Sequence, residues 1–148
     1  MSHLSKFATV DPFSGMNGRD PGQCQNLVSG QWRDDKEYFD NIPDPLNGEA
    51  FLKIPNTKNV DEFIKNLGDC PKSGLHNPLK NVGRYVMLGN VCAKAAEVMR
   101  DKEVEDFFIR LIQRVMPKTD NQCYGEVKVT RVFLENFAGD GVRFLGRG

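Results

Sequence analysis

The sequence lacks an excess of charge of either sign, a dense set of cysteines and any long hydrophobic run. Its twenty basic and twenty acidic side chains give a formal net charge of zero. Proteins that bind nucleic acid or anionic membranes usually carry a clustered basic excess, so this balance predicts no nucleic-acid partner. No apolar run reaches the roughly 20 residues that a membrane-spanning helix needs, so we expect no membrane insertion.

The cysteines and histidines are few and scattered. Cys24, Cys70, Cys92 and Cys123 lie too far apart for a zinc module, which usually begins with a close pair, so no metal site is predicted. A small secreted domain would carry a denser disulfide framework, and no signal peptide is recognisable. These absences predict a reduced, soluble, intracellular protein.

Cys123 and His76 are the residues whose type could support chemistry on its own. Cys123, near the start of a predicted helix, could be a reactive thiol because the helix dipole favours a thiolate there; the alternative is an ordinary small apolar residue. His76 has no acidic neighbour in sequence, so it is expected to hydrogen-bond to the backbone. Glycine-rich phosphate-binding motifs are absent from the sequence. The residues therefore predict no catalytic and no cofactor-binding position in this chain.

The length of 148 residues fits one domain or a piece of one, and the patterns predict an α+β fold. Residues 1–24 have no periodicity and predict an extended N-terminal arm, anchored at most by Leu4, Phe7 and Phe13. Residues 25–55 contain short β-branched and aromatic runs separated by turn formers, which predict a small antiparallel meander of two to three strands.

Helical spacing of apolar residues follows the meander. Asn59 and Asp101 are predicted N-caps, and Pro117 predicts a break between the last two helices. The predicted helices are 58–68, 81–100, 102–116 and 120–146. The apolar face predicted for the second comprises Tyr85, Leu88, Cys92, Ala95 and Met99. The face predicted for the last comprises Val127, Thr130, Leu134, Phe137, Gly141 and Phe144.

Several segments of the sequence resemble one enzyme family. The segment QNLVSGQW…IPDPLNGEAFLKIP resembles the N-terminal meander of aldehyde dehydrogenases. CPKSGLHNPLKNVGRY, FFIRLIQRVMPK and GEVKVTRVFLENFAGDGVRFLGR resemble plant-type 1-pyrroline-5-carboxylate (glutamate γ-semialdehyde) dehydrogenase. The likeness runs from about Gln25 to Arg147. It implies that residues 25–148 are an incomplete, N-terminal part of the aldehyde dehydrogenase fold.

The resemblance also implies an activity. Members of the family oxidise glutamate γ-semialdehyde to glutamate with NAD in mitochondrial proline breakdown. Their nucleotide-binding residues, base glutamate and nucleophilic cysteine lie beyond the segment that this chain matches, so no catalytic residue is carried over and the chain alone is not expected to be catalytic. By analogy, Glu126, Phe133 and Phe137 are the candidates for contacts at the substrate end. For Glu126 the alternative is a carboxylate favoured by the helix dipole.

In an intact dehydrogenase the apolar faces of the last two helices would cover the nucleotide domain. The predicted interface residues on these helices are Phe107, Leu111, Val127, Leu134 and Phe144. Exposed faces of this size predict a chain bound to a partner, either the remainder of a dehydrogenase or another protein. Two functions therefore stay open. The chain is the leading segment of a semialdehyde dehydrogenase, or a truncated, non-catalytic subunit that acts as an interaction module in a larger complex.

Overall fold

The computed structural model describes residues 4–33, 38–69 and 81–141 and confirms the predicted α+β arrangement of small sheets followed by helices. The strands are β1 (Gly22–Gln23), β2 (Asn26–Val28), β3 (Gln31–Arg33), β4 (Phe39–Pro43) and β5 (Ala50–Pro55). The helices are α1 (Leu4–Phe7), α2 (Asp61–Asp69), α3 (Val82–Val98), α4 (Lys102–Val115) and α5 (Asp120–Asn136). The predictions made for Cys70, His76 and Phe144 lie outside the described residues.

The strands form two separate sheets, so the prediction of one antiparallel meander is wrong in its topology. β2 and β3 form a hairpin of their own around Ser29 and Gly30, which both have positive φ, the geometry of a tight two-residue turn. β4 and β5 pair antiparallel in the other sheet, where β1 joins the free edge of β5 in parallel. The order of this second sheet is β1-β5-β4.

The N-terminal segment is more structured than an extended arm. It contains α1 and β1, and the backbone of Cys24 also donates to the carbonyl of Lys53 at 2.9 Å. Pro12 and Met16 are buried, whereas Phe13 is 61% exposed and does not anchor the segment. Met16 packs beneath Gly22, where a Cβ atom would lie 2.8 Å from the Met16 Cγ atom. The segment therefore packs against the sheet through a few isolated side chains such as Val10 and Met16, which carry no periodic signal.

The first three long helices begin where short polar side chains cap them. Asn59 Oδ1 accepts from the backbone of Asp61 at 2.8 Å, and Asp101 Oδ1 accepts from the backbone of Glu103 at 3.0 Å, which confirms both predicted caps. Asn81, which we did not predict as a cap, accepts from the backbone of Arg84 at the start of α3.

The last helix is shorter than the predicted range 120–146. α5 ends at Asn136, and Phe137 is its C-cap, with its backbone N–H bonded to the carbonyl of Phe133 at 3.2 Å. Gly139 follows with a φ of +57°, the left-handed conformation in which many helices terminate. Apolar residues continue at helical spacing beyond this point in the sequence, which is why the periodicity extended the predicted helix too far.

Two clusters of buried residues lie in the described structure. One contains Met16, Phe51 and Leu52, with Leu111 of α4 packed against it. The other contains Ile109, Cys123 and Val127, and it joins α4 to α5. Because α4 contributes to both clusters, it is the element that links the sheet to the helical layer.

Candidate functional site

The start of α5 is fixed by its own sequence. Pro117 interrupts the chain after α4, and Thr119 follows as the N-cap of α5. The Thr119 hydroxyl accepts from the backbone N–H of Gln122 at 3.4 Å, while the Gln122 side chain accepts from the backbone of Thr119 at 3.1 Å. This reciprocal capping box satisfies two backbone donors that would otherwise lack partners. It sets the direction in which the side chains of the first turns project.

Glu126 lies in the second turn of α5 and pairs with a cation from the preceding break. Its Oε1 atom accepts from the Nζ atom of Lys118, and the carboxylate side chain remains about half exposed. Lys118, Gln122 and Val129 border the same shallow, open depression on the protein surface. The acidic group is therefore held in place and remains accessible to a ligand or to another protein.

The three substrate-end candidates fall on one side of α5. Phe133 and Phe137 follow Glu126 by seven and eleven residues, which places the three side chains on one stripe of a helix with 3.6 residues per turn. Phe133 is 58% exposed and Phe137 is 48% exposed, so the rings project from the described structure. Such a stripe, with a carboxylate at one end and two aromatic rings beyond it, can contact an apolar partner or line one wall of a passage.

The buried face of α5 differs from the predicted one. Cys123 and Val127 are buried, whereas Thr130 and Phe137, which the periodicity placed on the same apolar face as Val127, are exposed. Arg131 and Leu134 continue the inner side and are partly buried. Apolar residues occur on both sides of this helix, so spacing alone did not decide which side faces inward.

The predicted interface residues are distributed between the core and the surface. Phe107 is buried, and Val127 is buried in the cluster that joins α4 to α5, so the structure corrects their placement on an open face. Leu111 packs partly against the sheet cluster, and Leu134 is partly buried. The exposed large apolar side chains of α5 are Val129, Val132 and Phe133, and Phe137 at its C-cap is exposed as well. The apolar face of α4 is thus packed mainly inside the protein, and the exposed apolar surface described here lies on α5.

Charged side chains connect the three helices at the end opposite Glu126. The Arg100 guanidinium, just after α3, bonds to Glu135 of α5 at 2.8 Å. Arg131 of α5 lies 3.7 Å from Glu105 of α4 and 3.6 Å from Glu135. Glu105 and Arg131 are largely buried, so these pairs are shielded from solvent better than ordinary surface pairs. They fix the orientation of α5 and hence of its exposed stripe.

Cys123 and Cys24 do not have the environment of a reactive thiol. Cys123 is fully buried against Ile109 and Val127, which agrees with its reading as a small apolar residue. Cys24 packs against the sheet cluster, and burial raises the pKa of its thiol above the ordinary value. A nucleophilic cysteine needs the opposite shift, because the thiolate is the reactive species.

Two further properties concern the part of the chain that the structure covers. Within residues 4–33, 38–69 and 81–141, no group of three or more metal-ligating side chains comes together. None of the helices described above is both long enough and apolar enough to cross a membrane.

Sequence reasoning missed the role of Lys118. A basic side chain near the end of a helix usually complements the helix dipole there. The structure instead places Lys118 beyond the end of that helix and against Glu126, eight residues later. The motif Thr-Asp-Asn-Gln at 119–122 was the available signal, since a capping box there fixes where the new helix starts and turns Glu126 toward the break.

Two curated proteins are similar to nearly the whole chain. One is named delta-1-pyrroline-5-carboxylate dehydrogenase 12A1, mitochondrial, from Arabidopsis thaliana, and is 47% identical over 152 aligned residues. The other is named probable aldehyde dehydrogenase, from Linum usitatissimum, and is 45% identical over 148 residues. Each match covers 99% of this chain. The chain is homologous to a segment of aldehyde dehydrogenases. This confirms the resemblance inferred from its sequence.

The matched region is only a part of each relative. The chain spans only 26% of the length of either relative. No protein-family model matches the sequence. The aldehyde dehydrogenase homology therefore covers the described sheets and helices, while about three quarters of each relative has no counterpart in the chain.

Proposed function

We propose that this chain serves as the N-terminal part of an NAD-dependent dehydrogenase that oxidises glutamate γ-semialdehyde, in equilibrium with 1-pyrroline-5-carboxylate, to glutamate in mitochondrial proline breakdown. The observation that carries the proposal is the 47% identity, along almost the entire chain, to a protein named as a mitochondrial 1-pyrroline-5-carboxylate dehydrogenase. Identity at this level over a whole segment supports a shared fold and a shared place in the enzyme.

On this proposal the chain is not catalytic by itself. Aldehyde oxidation through a covalent intermediate needs an accessible thiolate. Cys123 is fully buried, and burial of Cys24 raises the pKa of its thiol, so both environments oppose that role. The nucleophile and NAD would be supplied by the polypeptide that completes the enzyme. The α5 stripe of Glu126, Phe133 and Phe137 would then contribute contacts near the substrate end of the assembled site.

Complementation tests the proposal directly. The chain is co-expressed with the remaining three quarters of the Arabidopsis relative, and reduction of NAD is followed by absorbance with 1-pyrroline-5-carboxylate as substrate. We expect substrate-dependent NADH formation by the co-purified pair and none by the chain alone. Turnover by the isolated chain, or the absence of both binding and activity in the pair, would contradict the proposal.

A second candidate is a truncated, non-catalytic subunit of a larger complex. It is favoured by the apolar side chains left exposed on α2, α3 and α5, such as Ile64, Val91 and Phe133, because a protein surface of this kind is usually covered by a partner. The same experiment separates the two functions. A complex that forms with the complementary segment but never reduces NAD, although the intact relative does so under the same conditions, would support the subunit.

A further inference from the structure

The sequence contains the dipeptide Asn-Gly at two positions, Asn17-Gly18 and Asn47-Gly48. Asparagine is thermolabile because the backbone nitrogen of the next residue can attack its side-chain amide. Glycine, which has no Cβ atom, hinders that attack least. All four residues are exposed, so water reaches both dipeptides. The dipeptide alone does not distinguish the two positions, but their hydrogen bonds do.

The backbone nitrogen of Gly48 is held in the turn between β4 and β5. It donates to the carbonyl of Asp44 at 2.7 Å, and the N–H of Asp44 donates in turn to the carbonyl of Glu49 at 2.7 Å. Gly48 has a φ of +75°, the left-handed conformation that such a turn requires. Before the Gly48 nitrogen can attack Asn47, its bond to Asp44 must break and the turn must open. The hairpin therefore protects Asn47.

The backbone nitrogen of Gly18 is not held in this way. Within the described residues, its N–H group makes no hydrogen bond. The loop around it is closed by its neighbours, because Asn17 and Asp20 each donate a backbone N–H to the carbonyl of the other at 3.1 Å. The Gly18 nitrogen can therefore approach the Asn17 side chain without the loss of a hydrogen bond.

The side-chain amide of Asn17 is also oriented and polarised for attack. Its Oδ1 atom accepts from the backbone N–H groups of Arg19 at 2.9 Å and of Asp20 at 3.1 Å. These donors hold the amide carbonyl against the backbone that follows it, and they would stabilise the negative charge that develops on Oδ1 when a nucleophile adds to the carbon. Among the described residues, Oδ1 of Asn47 accepts from the backbone of Glu49 alone, at 2.9 Å. Asn17 is therefore the more reactive of the two.

We propose that Asn17 is a site of spontaneous modification in the folded protein, where it cyclises with Gly18 to a succinimide that water opens to aspartate or isoaspartate. The Gly18 N–H gives its proton to a base in the solvent, its nitrogen forms a bond to Asn17 Cγ, and the Cγ–Nδ2 bond breaks as ammonia takes up a proton and leaves. Water then cleaves the ring. Opening at Cγ gives aspartate, and opening at the backbone carbonyl gives isoaspartate. Nothing is oxidised or reduced, and water is the co-reactant.

The modified position adjoins the contact between the N-terminal segment and α4. Met16, which immediately precedes Asn17, packs against Phe51 and Leu52, and its carbonyl accepts from the Arg114 guanidinium. Isoaspartate routes the main chain through its Cβ atom, which lengthens the loop by one atom and displaces the oxygen that closes it. Isoaspartate should therefore shift Met16 and weaken its packing, whereas aspartate leaves the main chain unchanged.

The test compares the two dipeptides within the same molecules. The purified chain is incubated at mildly alkaline pH, folded in one sample and unfolded by guanidinium chloride in a second. Samples are digested at intervals, and mass spectrometry quantifies the conversion of Asn17 and Asn47, with electron-transfer fragmentation to separate isoaspartate from aspartate. The unfolded sample is the control, because it lacks the hydrogen bonds of either loop.

Folding should slow the conversion of Asn47 by about tenfold or more, because the bond between Gly48 and Asp44 must break first. Conversion of Asn17 in the folded chain should stay within about threefold of its rate in the unfolded chain, since no bond of Gly18 has to break. Equal slowing at both positions, no slowing at either, or a faster reaction at Asn47 would each overturn the proposal.

Pulse proteolysis of a partly converted sample tests the effect on the fold. In urea near the midpoint of unfolding, brief digestion removes the unfolded molecules. Isoaspartate at position 17 should be depleted by about twofold or more in the surviving protein. Asn17→Asp, which keeps the main chain and an acceptor oxygen, is the matched control and should survive like the wild type. The same isoaspartate content before and after digestion would overturn the predicted weakening of the Met16 contact.

Discussion

The guanidinium carbon of Arg114 lies 5.1 Å from the centre of the Phe51 ring, in the geometry of a cation–π contact. The same guanidinium donates to the backbone carbonyl of Met16 and lies 3.7 Å from a carboxylate oxygen of Asp44. One side chain at the end of α4 thus joins the N-terminal segment, the turn between β4 and β5, and the core of the sheet. Its own side chain is only 18% exposed, so these contacts are shielded from solvent.

Replacement of Arg114 should loosen the sheet from the helices. Arg114→Met keeps much of the aliphatic stem but removes the cation and leaves the Met16 carbonyl without this donor. We expect a loss of about 2–3 kcal/mol in the free energy of unfolding, measured by urea denaturation. Arg110→Met, on the same helix, is the control and should cost less than about 0.5 kcal/mol. Equal stability of the two variants would contradict the linking role of Arg114.

A methyl group at Gly22 should be destabilising because of the close approach of Met16. The added Cβ atom would lie 2.8 Å from the Met16 Cγ atom and 3.3 Å from a methyl group of Val10. We expect Gly22→Ala to lower the free energy of unfolding by about 1–3 kcal/mol. Gly83→Ala in α3 is the matched control, because nothing lies within 4 Å of its added Cβ atom. That variant should be neutral or up to about 1 kcal/mol more stable, since alanine favours a helix. The same melting temperature for both variants would count against the packing described for the N-terminal segment.

The capping box at Thr119 should contribute measurably to α5. Thr119→Ala removes the acceptor for the backbone of Gln122, and we expect a loss of about 1 kcal/mol by thermal or chemical denaturation. Thr130→Ala removes a hydroxyl that bonds to the backbone carbonyl of Glu126 within the helix, and its effect should stay within about 0.5 kcal/mol. A larger effect at Thr130 than at Thr119 would be inconsistent with the cap.

Stability should fall at alkaline pH through Cys24. Burial raises the pKa of the folded thiol, so the unfolded chain releases this proton first as the pH rises past the ordinary thiol value of about 8.5. Below that value Cys24 is protonated in both states and has no pH-dependent effect. Above it, deprotonation of the thiol stabilises the unfolded state relative to the folded state. We therefore expect the free energy of unfolding to fall less steeply between pH 7 and pH 10 in Cys24→Ala than in the wild type. Parallel curves would contradict the shift.

Glu126 should be nearly dispensable for folding. Its pair with Lys118 is substantially exposed to solvent, so Glu126→Gln should lower the free energy of unfolding by less than about 1 kcal/mol. In the complemented dehydrogenase the same change should raise the KM for the aldehyde at least several-fold if the carboxylate contacts the substrate end. Glu103→Gln, an exposed carboxylate at the start of α4, serves as the control. Unchanged kinetics with Glu126→Gln would remove this residue from the site.

The elements whose signals are local could be predicted from the sequence. The caps Asn59 and Asp101 and the break at Pro117 depend on neighbouring residues, and the structure has helices beginning or ending at these places. β1 could not be predicted, because Gly22 and Gln23 have no strand propensity and pair only through their backbone with distant Leu52 and Lys53.

The candidate site divides in the same way. The alignment of Glu126 with Phe133 and Phe137 follows from helical spacing within one element. The contact between Glu126 and Lys118 crosses the break between α4 and α5, where helical periodicity does not relate one residue to the other. The apolar face predicted for α5 differs from the buried one because apolar residues occur on both sides of this helix, and tertiary packing selects the side with the better fit.

The parallel pairing of β1 with β5 has a consequence for any shortened form of the protein. Removing the first two dozen residues would leave one edge of β5 without its partner strand β1. It would also remove Met16, whose side chain packs against Phe51 and Leu52 of the sheet. The uncovered backbone would be an open template on which further strands could add. Truncation at this end would therefore be expected to convert a folded molecule into one that precipitates by edge-to-edge growth.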